Sequence, residues 1–128
     1  MDGSSIAQTP SIKPTVPRYS AAKHAREAND IHMLSVRVPD ASRLSDALID
    51  WGYGYRNSAR ELECTLRDLS SQFTPRECLG VQAGIDSCRG LEFLCRDELA
   101  ALPSWADMAK CCSWSELAQE AARRDSIA

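Results

Sequence analysis

Apolar residues recur at steps of three and four over two long stretches of this chain. The first runs Leu44, Leu48, Trp51, Tyr55, Ala59, Leu62, Leu66 and Leu69; the second runs Cys78, Val81, Ile85, Cys88, Leu91, Cys95, Leu99 and Leu102. That spacing places one apolar stripe on one face of an α-helix. Asp40 precedes the first stretch as an N-cap. Thr74 and Glu77 open the second as a capping box, with Pro75 at the first helical position, where its missing N–H costs nothing. Pro103 ends it. Only the four residues Ser70 to Phe73 separate the two stretches, which predicts an antiparallel hairpin of two long helices. Gly52 and Gly54 interrupt the first stripe, and each costs about 1 kcal/mol relative to Ala, so a kink or a break into two helices is admitted there.

The flanks read differently. Ser104 opens a short helix containing Trp105 and Met108, and Ser113 with Glu116 forms a second capping box before a last helix that fades at Arg123, Arg124 and Asp125. Upstream, Leu34, Val36 and Val38 alternate with Ser35 and Arg37 until Pro39, which predicts a short strand over 33–38. Residues 1–30 carry Pro10, Pro14 and Pro17 among serines and threonines with no apolar period, the pattern of a disordered tail. The expected fold class is therefore mainly α: a single helical domain over 31–128 behind that tail, with no internal repeat.

Composition narrows the function. A chain of 128 residues is one domain. At 44% hydrophobic but 6% aromatic it builds its core mostly from aliphatic and sulfur side chains. The longest apolar run, Leu99 to Leu102, is four residues, against about 20 for a bilayer span, so no membrane crossing is expected. The first 30 residues are charged and lack an apolar stretch, which reads as no signal peptide and a cytoplasmic address. With 18 acidic against 15 basic side chains, the net charge of -3 leaves no general footprint for nucleic acid.

The candidate chemistry is sparse. Six cysteines without an export signal are expected to be free thiols. There is no C-x-x-C pair, and His24 and His32 are remote from every cysteine, so neither metal nor cofactor is expected. Cys78, Cys88 and Cys95 lie on the second stripe and read as core filler. Adjacent Cys111 and Cys112 invite a strained vicinal disulfide or a thiophilic agent, although two small side chains in a helix or turn is the favoured reading. No glycine-rich phosphate loop, G-x-S-x-G or H-E-x-x-H occurs. A cysteine nucleophile at Cys64 or Cys78 needs His24 or His32 held within about 3 Å. The carboxylates fall mostly off the apolar stripes, and an enzyme is not expected.

Binding fits better. Two amphipathic helices carry more apolar stripe than one seam covers, so a homodimer and a protein partner are expected. Large aromatics dominate binding hot spots. Trp51, Tyr53 and Tyr55 surround the glycine pair and, with Phe93 and Trp105, form the candidate partner-binding surface; the competing reading packs these rings beneath the C-terminal helices.

Two resemblances bear on the partner. The segment MLSVRVPD (Met33 to Asp40), followed by a helix, a glycine turn and Ser58 before another helix, resembles the ribbon-helix-helix DNA-binding family. There a strand from each of two subunits enters the major groove; the resemblance implies a transcriptional regulator reading bases through Ser35 and Arg37. The chain departs from that family at Ala59, Arg60 and Glu61, where adjacent apolar residues are usual, and continues into another long helix. A wider resemblance, over about 70 residues, joins the V-x-V-P-D arm, a long helix, LGVQAGIDS (Leu79 to Ser87) and LAAL (Leu99 to Leu102). This is similar to small proteobacterial proteins built as two long helices behind a disordered tail. It implies a non-enzymatic interaction protein, of a general kind that includes anti-activators blocking LuxR-type quorum-sensing transcription regulators.

Overall fold

The computed structural model describes residues 19–127. Among them are five α-helices and no strand: α1 (Ala21–Arg37), α2 (Ala41–Leu69), α3 (Pro75–Ala100), α4 (Ala106–Cys111) and α5 (Trp114–Ser126). Single 3₁₀ turns at Ser70–Gln72 and Pro103–Trp105 join α2 to α3 and α3 to α4. The mainly helical class follows the hydrophobic periods.

Side chains close the helix ends where backbone amides have no partner within the helix. Asp40 Oδ1 accepts from the amides of Ser42 and Arg43. The capping boxes Thr74/Glu77 and Ser113/Glu116 are both formed, with each glutamate reaching back to the N-cap amide at 2.9 and 2.8 Å. Ser20 caps α1 by accepting from the amide of Lys23.

Helix α1 corrects two expectations. Residues 33–38 form no strand: Met33 to Arg37 are the last turn and a half of α1, and Val38 is its C-cap. Residues 21–30, read as part of a disordered tail, are helical as well; residues 1–18 lie outside the described residues. The physical reason is a stripe that alternation hid. Ala28, Ile31, Leu34 and Val38 recur at three- and four-residue steps and meet the core, so Leu34 is 6% exposed while Val36, its apparent strand partner, is 68% exposed.

The 29 residues of α2 run unbroken through Gly52 and Gly54, about 44 Å at 1.5 Å per residue. They make the most extensive interface of the fold with α3. Leu62 lies opposite Gly84, and Arg89 Nη2 donates to Glu63 at 2.8 Å, so the two helices pack side by side. On one flank, α1 lies parallel to α3: His24 Nδ1 and Ser87 Oγ share a hydrogen bond of 2.7 Å, and His32 Nδ1 lies 3.4 Å from Glu98. On the other flank, α5 packs along the N-terminal half of α2, with Trp114 against Gly52 and Tyr53 against Ser115.

The core therefore sits at one end. Ile31, Leu48, Leu91, Cys95, Leu99, Ala109 and Leu117 are almost fully enclosed there, each helix contributing. Toward the α2–α3 turn only a thin seam of Ala59, Phe73, Val81 and Ile85 is buried, and Leu62, Leu66 and Leu69 remain half-buried. Among the described residues no helix is long and apolar enough to cross a membrane.

Candidate functional site

Position 51 begins a stripe on α2 at the margin of the core, where the Trp51 and Tyr55 rings pack partly against it. Trp51, Gly54, Tyr55 and Ser58 follow one another at i, i+3, i+4 and i+7, which places them on one face. That face meets α1 across an open cleft of about 470 Å³, whose opposite wall carries Glu27 and Asp30, with Asp50 at its end. The small residues open it: a methyl added at Gly54 would meet nothing within 4 Å. Trp51 and Tyr55 are half-buried and both line the cleft.

Its electrostatics are those of a cation acceptor. Three carboxylates line the cleft. Arg37 reaches Asp30 only at 3.4 Å across exposed surface, and such pairs contribute at most about 1 kcal/mol. Burial first, and then the carboxylate of Glu27, push the Tyr55 hydroxyl up to about 12, so it stays a neutral donor. An aromatic pair beside carboxylates suits a Lys or Arg side chain, which gains from both ring face and charge.

The other sequence candidates scatter. Tyr53 faces away from Trp51 and Tyr55 toward α5; its hydroxyl lies 3.3 Å from Ser115 Oγ, which lowers its titration, and Arg56 stacks on its ring at 4.7 Å. It borders a second, more open groove with Ala118 and Ala122, where Asp46 and Asp125 face each other and burial raises Asp46. Phe93 is 63% exposed on the outer face of α3. Trp105 is a correction: at 4% exposure it is core, with the Arg124 guanidinium 3.9 Å from the centre of its ring. Ser35 and Arg37 are exposed on the last turn of α1, so the ribbon that would carry them into a DNA groove is not formed.

The cysteines also divide. All six are free, but only Cys95 is buried, and burial pushes its thiol up to about 12. Cys78 and Cys88 are half-buried, which corrects their assignment as core filler. Neither histidine pairs with a cysteine. The His24–Ser87 contact has the reach of a base and a nucleophile, yet Ser87 lies mid-helix, where the surrounding amides are committed to the helix and none is free to hold an oxyanion. Among the described residues no group of three or more His, Cys, Asp or Glu side chains is arranged to hold a metal ion.

Sequence reading missed Glu27 and Asp30 because their helix was assigned to the tail. It missed the split of Tyr53 from Trp51 and Tyr55 because it grouped them by proximity; a turn of 100° per residue separates them. No protein-family model, no curated protein and no solved structure matches this chain.

Proposed function

We propose that this chain is a non-enzymatic regulatory protein that acts by binding a protein partner in the cleft between α1 and α2. The α2–α3 hairpin serves as its scaffold. The observation that carries the reading is the stripe of Trp51, Gly54, Tyr55 and Ser58 left open opposite Glu27 and Asp30. A partner segment presenting a basic side chain beside an apolar one matches it, the apolar group against the rings and the cation among the carboxylates. An anti-activator of a bacterial transcription regulator, working in the cytoplasm, is the particular form proposed. Self-association as a homodimer is part of the same reading, through the exposed Leu79 and Phe93 on the outer face of α3. A ribbon-type DNA reader has no support from α1 and is not carried further.

Affinity capture compares the wild-type chain with a Trp51→Ala/Tyr55→Ala variant and with Arg37→Ala. A discrete partner recovered in stoichiometric amount by wild type and by Arg37→Ala, and lost with the double variant, supports the reading. Equal recovery by the double variant, folded by circular dichroism, overturns it.

A further inference from the structure

The only adjacent cysteines of the chain stand at the joint between the last two helices. Cys111 is the final residue of α4, Cys112 is its extended C-cap, and Ser113 caps α5. Cys111 is exposed and Cys112 half-exposed, and their sulfurs lie 4.0 Å apart. The joint is fixed from below. Arg96 of α3 donates through Nη1 to the carbonyls of Ala109 at 2.7 Å and Cys112 at 2.9 Å, and its guanidinium lies 4.5 Å from the centre of the Trp114 ring.

Geometry decides what the pair can do. A disulfide needs sulfurs about 2 Å apart and Cα atoms usually about 4.4–6.8 Å apart. Neighbouring Cα atoms are held at about 3.8 Å by the peptide bond. Closing that bond would have to distort backbone that Arg96 pins. A chelate has no such requirement: two thiolates about 2.3 Å from one tetrahedral centre stand about 3.8 Å apart. The observed separation is already a chelating one.

Coordination number then selects the guest. Zinc takes four protein ligands or three with water, and no third side chain converges on the pair; Glu116 is engaged in its capping box. A centre that needs only two protein sulfurs fits. We propose that Cys111 and Cys112 form a dithiol site for trivalent organoarsenicals and kindred soft centres that bring their own remaining substituent. With an arsine oxide the reaction is a condensation: two As–S bonds form, the As=O bond breaks, and the oxygen leaves as water with both thiol protons. Arsenic stays trivalent and nothing is oxidised. The site is independent of the α1–α2 cleft.

Phenylarsine oxide added to the full-length chain in excess monothiol tests this by intact mass and peptide mapping. A single adduct that survives the monothiol, is removed by a small dithiol and maps to the peptide holding 111 and 112 is expected. It should disappear in Cys111→Ser and in Cys112→Ser, and persist in Cys64→Ser/Cys78→Ser/Cys88→Ser. Absence of a monothiol-resistant adduct, its mapping elsewhere, or its survival in either single variant would overturn the site; the mapping decides the matter even if a variant misfolds.

Discussion

The Trp114 indole lies against the backbone of Gly52, in the space that any side chain at position 52 would occupy. Its Nε1 donates to Glu92 at 2.8 Å, so the ring is held from α3 while it presses on α2. Gly52 is a seat for a ring, and α2 stays unbroken through it. Gly52→Ala is expected to destabilise the chain by about 1–3 kcal/mol through overpacking. Gly54→Ala, which faces open space, should gain up to about 1 kcal/mol of helix propensity. Urea denaturation of both variants checks the contrast; a stabilising Gly52→Ala would contradict it.

The two long helices, both capping boxes and the last helix were legible because cap and stripe agree at each, whereas the short helix read from Ser104 starts at Ala106 after a 3₁₀ turn and has no side-chain cap. What stayed hidden shares one cause. In α1 the polar positions Ser35 and Arg37 break up a stripe that only Ile31 and Leu34 fully bury. Glu27 and Asp30 therefore entered no candidate site. At Gly52 a residue without a side chain carries no signal of the ring that needs its absence, and Trp105 looks the same in sequence whether it is roofed or open.

Core position should separate two leucines of similar periodicity. Leu91 is 1% exposed inside the main core, whereas Leu62 is half-buried on the thin seam near the α2–α3 turn. Leu91→Ala is expected to cost about 2–5 kcal/mol, and Leu62→Ala clearly less, because its site is already open to water. Equal losses by chemical denaturation would show that the distal seam is as well packed as the core.

Alkaline pH should act on the cleft wall. Tyr55 is held protonated up to about 12, by burial first and Glu27 next. Its unfolded value is about 10. The stability linked to this raised value is fully present below pH of about 10 and is lost as pH rises from there toward about 12. Ultraviolet titration should show a late phenolate step that Tyr55→Phe removes; a single step near 10 for every tyrosine would contradict the burial.

Acid should act on α5. Hydrogen bonds from Arg123 first, and Arg124 second, bring the Glu120 carboxyl down to about 2. Arg124 also donates to the Ser104 carbonyl and stacks on Trp105. A depressed value means the contribution is complete above the unfolded carboxylate range of about 4.3 and is lost as pH falls through about 2. Carboxyl NMR should place the Glu120 midpoint near 2 in wild type and near the ordinary range in an Arg123→Ala/Arg124→Ala variant. A wild-type midpoint in the ordinary range would remove the electrostatic clamp.

Selection of a random peptide library against the full-length chain, followed by calorimetry of the retained peptides, addresses the cleft most directly. Retained peptides should place Lys or Arg beside an apolar residue, and a folded Trp51→Ala/Tyr55→Ala variant should bind them at least about tenfold more weakly, about 1.4 kcal/mol. Phe93→Ala should leave them unchanged. Peptides that bind the double variant as well as wild type would place the partner surface elsewhere on the molecule.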